Sequence, residues 1–536
     1  MTKSGPARTI LCGTILILSM TTALQATEWF VDAQAGSDFY NGQSPTPGPA
    51  GTGPKQTLQA AIEAAANADT VTAAPGLYTG WGNCDLILFD KALVVRSSAG
   101  PDATVIDPGG APDWPHRAFT LLGTLTAGTR IEGFTLQGGF SGPSWGGSLT
   151  CEDTNVEVRN CRFTGNKSDG KGGAVYCGQG QLRLVECSFQ ANTSPEGGAL
   201  YASGAVVELI ACEFSANEAT GNTGEGLGGA AAFDTACTAY VETTTFQANH
   251  AGRFGGALHT SDSLLSIHNS LILGNRAGSY GGGLYAENAT VTINLCTLSG
   301  NAAAWFGGGL HTHGQTQLLL TNTICWDNLV GPDGEGPQLA LGAYVDLTAT
   351  YNCIQGGRDA VRWDNAAAAG WDATNIDVWP GFGAPGAWLP EPFPAAGDAT
   401  WLPGDYHLLS TQGRWQPDHD PTQNQGQWVA DMEDSALIDT GDPLTPWQAE
   451  CWPNGAIVNL GAYGGTSQAS LSCSMVGEPA DLDVDGIVNL ADFARLTDRW
   501  FTTGQPTPAD LNHDGIVDPA DLVILLSRWL EVGPAT

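Results

Sequence analysis

The densest set of side chains able to do chemistry lies near the C-terminus. Residues 481–492 read DLDVDGIVNLAD, and residues 510–521 read DLNHDGIVDPAD. In the first segment, loop positions 1, 3, 5, 9 and 12 are Asp481, Asp483, Asp485, Asn489 and Asp492. Gly486 stands at position 6, where the chain must turn sharply, and Ile487 offers its backbone carbonyl. The second segment repeats the scheme with Asp510, Asn512, Asp514, Gly515, Ile516, Asp518 and Asp521. Oxygen donors at alternate positions around a glycine turn suit a Ca²⁺ ion with six to eight oxygen ligands. Two ions are therefore expected, one per loop. Each loop runs into a helix-like stretch, LADFARLTDRW or PADLVILLSRWL, and the loops begin 29 residues apart, which makes coincidence improbable. Crowded carboxylates repel one another, so this module should gain helix when the ions bind.

The helix that precedes an EF-hand loop is absent, and position 12 is Asp rather than Glu. In both respects residues 481–530 resemble type I dockerins. That resemblance implies a small α module with two calcium loops whose partner is a cohesin-like protein domain. Loop positions 10 and 11 are Leu490-Ala491 and Pro519-Ala520, where many dockerins carry hydroxyl residues used in partner recognition.

The elements that precede this module come from an internal repeat. CRFTGN at 161–166 is followed by GGAVY at 172–176, CSFQAN at 187–192 by GGALY at 197–201, and CEFSAN at 212–217 by GGAAA at 228–232. TTFQAN at 244–249, SLILGN at 270–275 and CTLSGN at 296–301 continue the series, each with its Gly-Gly partner, and TICWDN at 323–328 is a last degenerate copy. Steps between Phe-equivalent positions are 25 to 27 residues, with one of 32. Short alternating strands and glycine turns at this period predict one rung of a right-handed parallel β-helix per repeat. Alternation turns Phe163, Phe189, Phe214 and Phe246 inward as a column, continued by Ile272 and Leu298. Asn166, Asn192, Asn217, Asn249, Asn275 and Asn301 form a ladder at a turn, where Asn satisfies backbone groups and tolerates unusual dihedrals. The repeat resembles the FxxN/GGA(L/I) repeats of polymorphic outer-membrane proteins, which implies a β-helix at a surface but no chemistry. The autotransporter barrel of that family is absent from this sequence.

Two sets of β-helix residues are candidates for binding a polysaccharide. Tyr176, Tyr201, His259, Tyr285 and His311 occupy one outward position on successive rungs, a stripe on which sugars could stack. Cross-rung packing of exposed aromatics is the plainer reading of the same stripe. The loops between Asn and Gly-Gly carry His250, Arg253, Arg276, Tyr280 and Trp305 to one edge. Hydrolysis of a glycan needs two opposed carboxylates, and no carboxylate pair recurs on adjacent rungs. A lyase or glycoside hydrolase and a non-catalytic surface scaffold thus both remain open. Catalytic residues are not assignable from the sequence.

Cys161, Cys187, Cys212 and Cys296 share one inward position, and Cys151 and Cys177 share another. Stacked buried thiols follow from that register. Cys451 and Cys473 fall outside the ladder and could pair. The cysteine spacings contain no zinc motif.

The sequence opens on Lys3, Arg8 and an apolar run from Ile10 to Met20, too short to span a bilayer, with Ala26 at a small-residue cut. This reads as a signal peptide over 1–26 and predicts a secreted or cell-surface protein with no transmembrane segment. Removing it leaves 18 basic against 55 acidic residues, a charge that repels a phosphate backbone and excludes nucleic acid as a partner. The segment WFVDAQAGSD at 29–38, QTLQAAIEAA at 56–65 and DTVTAAPGLYTG at 69–80 resembles the N-terminal cap of secreted β-helix proteins. Beyond residue 353 the repeat decays, and YHLLSTQGRW, SALIDTGDP and NLGAYGGTSQAS resemble the C-terminal segments of planctomycete-type relatives of that kind. The expected organisation is 27–352 for β-helix and N-terminal cap, and 353–473 for final rungs and C-terminal cap. A linker over 474–480 and the calcium module over 481–532 complete it.

Overall fold

The computed structural model describes residues 26–123, 128–221, 226–364, 368–390, 399–417, 426–474 and 478–530. The proposed signal segment up to residue 25 and the central part of the proposed linker, 475–477, lie outside the described residues. The first strand, Glu28–Val31, pairs in parallel with Thr70–Ala73, so the segment read as the N-terminal cap contributes a strand to the first rung. A helix at Leu58–Ala64, capped by Thr57, buries Leu58, Ala61 and Ile62 against that end. From there to Ala368–Trp371 the pairings of the solenoid strands are parallel, giving sheets of 22, 11 and 6 strands among the described residues. The largest sheet is two columns fused into one, because Leu149–Arg159 and Val175–Val185 each run through both.

The predicted register holds. Phe163 pairs with Phe189, Phe189 with Phe214, and Phe214 with Phe246. Their rings are fully buried and stack at centroid distances of 4.6, 4.5 and 5.1 Å. Flat stacking along the axis is the arrangement a rung spacing near 4.8 Å imposes on identical rings. Cys161, Cys187, Cys212 and Cys296 are buried and unbonded, and burial pushes the thiols of Cys161 and Cys296 up to about 12. Where the repeat lacks Cys, Thr244 and Ser270 take the position; Thr244 Oγ1 accepts from Cys212 N, and Ser270 Oγ from Thr244 N.

The asparagine ladder does more than fill a turn. Asn192 donates both its backbone N–H (3.0 Å) and its Nδ2 (2.9 Å) to Asn217 Oδ1, and Nδ2 also donates to Phe163 O on the rung before. The same set of bonds recurs from Asn166 through Asn301, with Asn328 as the last acceptor. The left-handed backbone falls on the residue before each Asn and not on Asn itself: Ala191, Ala216 and Ala248 sit at φ 54°, 53° and 54°. In the Gly-Gly pairs the second glycine is required by contact. A Cβ on Gly229 would lie 2.2 Å from Gly256 O.

The C-terminal segment departs from expectation. The last parallel strand ends at Trp371, with one parallel bridge from Cys353 to Ile376 beyond it, and the described strands between Phe382 and Val429 form three two-stranded antiparallel sheets that lie along the flank of the solenoid and do not lengthen it. The cause is visible in the outward positions of the second sheet. Early rungs show Arg162, Ser188 and Glu213 to solvent, whereas later rungs show Leu271, Leu273, Ile324 and Trp326, which need cover. Phe382, Trp388, Trp401 and Tyr406 supply that cover, and Trp388 Nε1 donates to Gly300 O at 2.7 Å. Further on, Asn269 Nδ2 donates to Ala462 O and Gly464 O. Cys451 is buried, Cys473 is exposed, and both are free, so the suggested pairing does not occur.

Because Phe189 is stacked on both faces with no solvent to relax into, Phe189→Ala should lower unfolding free energy by about 3–5 kcal/mol. Denaturant titration measures this; a loss below about 1 kcal/mol would mean that the column is not close-packed.

Candidate functional site

The outward stripe lines up as its spacing requires, but it is not a surface. Tyr176, Tyr201, His259, Tyr285 and His311 are only 6, 3, 6, 4 and 5% exposed. A second aromatic layer from the loops lies over them. Trp145 covers Tyr176 at 4.6 Å, Phe254 covers Tyr285 at 4.5 Å, and Tyr280 covers His311 at 5.1 Å. Phe254, Tyr280 and Phe306 stack on one another at 5.2 and 5.3 Å, with the Arg253 and Arg362 guanidinium groups over Phe254 and Phe306. These rings fill a minor core outside the sheet and cannot all stack sugars. Burial pulls His259 down to about 4 and His311 down to about 3, and the Nδ1 atom of each is buried without a partner.

The loop-edge set divides. Arg253 and Tyr280 belong to the aromatic layer. His250 and Arg276 are cross-strand neighbours on the narrow sheet, where His250 Nδ1 lies 3.4 Å from Glu218 Oε1. Burial, then the Arg276 charge, lowers the His250 pKa. Trp305 stands 48% exposed at the edge.

One residue column beyond the aromatics is a row of ionisable groups that sequence reasoning missed. The register sets Ser203 beside Asp234, Ser261 beside Glu287, and Glu287 beside His313. Asp234 follows Phe233, which pairs with Thr260, the residue before Ser261. Asp234 and Glu287 therefore lie two strands apart on one outward face, roughly 9.6 Å between backbone positions. Tyr201 Oη donates to Asp234 Oδ2 at 2.8 Å, and Tyr285 Oη donates to Glu287 Oε2 at 3.3 Å. Lys171 Nζ reaches Tyr201 Oη at 2.7 Å and Glu196 Oε2 at 2.8 Å. Burial first, then the hydrogen bond to Asp234, raises the Tyr201 phenol. Two carboxylates on one outward column are the kind of group that glycan hydrolysis uses in pairs. The signal available in the sequence was an acid two residues after an outward aromatic or its equivalent, on alternate rungs.

In the C-terminal module, Ala480, Val488, Leu496, Ala509, Val517 and Leu525 form the core. Helices Leu490–Asp498 and Pro519–Ser527 start at capping boxes built from the loops themselves. Asn489 Oδ1 accepts from Ala491 N, and Asp492 Oδ2 accepts from Asn489 N at 2.7 Å; Asp518 and Asp521 do the same in the second half. Carboxylate oxygens of Asp481, Asp483 and Asp485 converge within 4.8 Å of one another. Asp510 is held by Asp514 N and Gly515 N, beside Asn512 and Asp514. The Ile487 carbonyl takes a hydrogen bond from Asn489 Nδ2 at 2.8 Å, whereas both Asp521 oxygens face backbone N–H groups. Burial, then Asp492, raises the Asp483 carboxyl; burial, then Asp521 and Asp514, raises Asp510 to about 6. An all-oxygen donor set with several carboxylates crowded into one loop fits a divalent hard cation. The module rests on the C-terminal covering segment, with Trp428 5.7 Å from His513 of the second loop.

Against known proteins, residues 149–357 match the model of the family described as right handed beta helix region. The chain thus contains a right-handed parallel β-helix, an all-β solenoid. Among solved structures, pectate lyase Pel9A is 14% identical, with 82% of this chain and 97% of that chain covered and a TM-score of 0.40. A rhamnogalacturonan lyase is 14% identical over 67% and 90%, with a TM-score of 0.31. The catalytic unit of a GH87 alpha-1,3-glucanase from Streptomyces thermodiastaticus is 15% identical over 58% and 66%, with a TM-score of 0.30. Comparison with curated proteins returned no match. Among the described residues, no helix is long and apolar enough to cross a membrane.

A histidine whose folded pKa is depressed stabilises the protein fully above its unfolded value of about 6.5, and loses that contribution as pH falls toward the folded value. His259→Phe removes this linkage and the unpartnered Nδ1 while keeping a ring in the stack. The variant should lose less stability than the parent between pH 7 and pH 4.5, read by denaturant unfolding. Equal losses would show that His259 is not held neutral by burial.

Proposed function

We propose that this chain is an exported, carbohydrate-associated protein. Its β-helix engages a polysaccharide along the face bearing Asp234 and Glu287. Its C-terminal module binds two Ca²⁺ ions and docks a cohesin-like domain. The observation that carries the glycan reading is the half-open row of Asp234, Ser261, Glu287 and His313, bordered by the tyrosines that donate to its acids. Docking is supported by apolar residues that stand exposed on so small a module: Leu490, Val523, Leu526 and Leu530 are 70, 65, 52 and 67% exposed. In each loop the first, third and fifth residues would supply side-chain oxygens, Ile487 and Ile516 their carbonyls, Asn489 and Asp518 the ninth position, and Asp492 and Asp521 the twelfth. The ions would neutralise the loop acids and so hold the helices in place.

The alternative is a surface scaffold without catalysis. It is favoured by the burial of the aromatic stripe, which spends those rings on packing.

Calorimetry on the intact protein should count two Ca²⁺ ions, and Asp481→Ala and Asp510→Ala should each remove one. Zero or one ion in the parent protein would end the calcium reading. Incubation with a panel of acidic and neutral glycans, followed by assays for reducing ends and unsaturated products, separates the two readings. Products lost in Asp234→Asn and Glu287→Gln support an enzyme; retention on a glycan column without products supports the scaffold; neither product nor retention sinks the carbohydrate reading.

A further inference from the structure

Cysteine usage in this chain is dominated by the solenoid interior. Apart from Cys84, which is half-buried, and Cys473, which is exposed, the described cysteines are buried. Cys84 sits outside the ladder, at the end of the loop that enters strand Leu86–Phe89. The next turn of the solenoid brings His116 over it, at the entry to Phe119–Leu122, a strand paired in register with Leu86–Phe89. As a result Cys84 Sγ, a carboxylate oxygen of Asp85 and a ring nitrogen of His116 all lie within 4.8 Å of one another.

Backbone bonds hold this grouping in place. Asp85 N donates to Arg117 O at 2.7 Å, and Arg117 N donates back to Asp85 Oδ1 at 3.1 Å. That leaves Asp85 Oδ2 facing His116 Nδ1 at 2.6 Å. The guanidinium of neighbouring Arg117 donates to the Trp145 carbonyl. Asp85 itself is at φ 51°, a left-handed conformation that a non-glycine residue adopts at a cost.

We propose that Cys84, Asp85 and His116 form a site for one zinc-type divalent ion. Thiolate, imidazole and carboxylate together are the donor set of Zn²⁺; Ca²⁺ takes oxygen ligands only. Three protein ligands leave a fourth tetrahedral position for water, as at zinc sites that are open to a substrate or exchangeable ligand. Binding displaces the thiol proton to solvent and forms the metal–sulfur bond; no electron is transferred. The three ligands come from two successive rungs, which is why no zinc spacing is visible along the chain. This site is independent of the glycan and calcium readings.

The test uses the full-length protein, reduced and saturated with Ca²⁺ so that the acidic loops do not compete. Titration with Co²⁺ should give a near-ultraviolet sulfur-to-cobalt charge-transfer band that saturates at one equivalent and is bleached by Zn²⁺. Cys84→Ser should abolish the band and His116→Ala should remove tetrahedral binding, whereas Cys473→Ser should leave both intact. Absence of the band in the parent protein, or its survival in Cys84→Ser, overturns the proposal. Should a variant fold poorly, alkylation of the parent decides: one equivalent of Zn²⁺ should suppress labelling of Cys84 but not of Cys473, and equal labelling with and without Zn²⁺ overturns the site.

Discussion

Each rung of this solenoid is bonded to the next by parallel backbone ladders, and the asparagine amides tie those ladders together at the turn. An asparagine there accepts two hydrogen bonds from the rung before it through one Oδ1. Its Nδ2 reaches both the Asn of the next rung and a carbonyl of the rung before. A buried amide with every polar atom engaged adds no desolvation penalty, and one left half-satisfied would cost about 1–3 kcal/mol. This geometry also fixes what may stand beside it. Gly-Gly follows because neighbouring backbones approach too closely for a Cβ, and Phe stacks on Phe because register leaves identical residues one strand spacing apart.

The same stacking explains the outer face. Side chains held at one outward position on successive rungs touch one another, and large rings in that position attract a second layer from the loops. Tyr280 and Phe254 close over His311 and Tyr285, which turns an outward stripe into a minor core with neutral histidines inside it. The next outward column is displaced by one residue pair and stays half-open. It therefore keeps ionisable groups, and the tyrosines of the buried column serve it from the side by donating to Asp234 and Glu287.

Covering the flank follows from the same alternation. Once Leu271, Leu273 and Trp326 replace the polar outward residues of the early rungs, the solenoid has an apolar side, and the Trp-rich segment after residue 380 is held there by burial. The C-terminal module obeys more local rules. Its loop acids cap its own helices, so the residues proposed to meet a cation are also those that begin each helix.

Repeat period, interior parity and the paired acidic loops with their glycine turns were legible in the sequence because each is a local pattern repeated at fixed spacing. The phenylalanine column, the thiol ladder and the asparagine ladder follow directly from that period, and the loop carboxylates from alternate positions around Gly486 and Gly515. Only the tertiary structure decided what depends on contacts between distant segments. Loops from other positions bury Tyr176, Tyr201 and Tyr285, and the C-terminal hairpins lie beside the rungs and do not extend them. Asp234 and Glu287, 53 residues apart in the chain, share one outward column two strands apart, and Cys84 and Asp85 meet His116 from about 31 residues away, which amounts to one turn of the solenoid. Those separations include loops of variable length, so no fixed spacing records the meeting. It is the backbone register between rungs that brings these residues together.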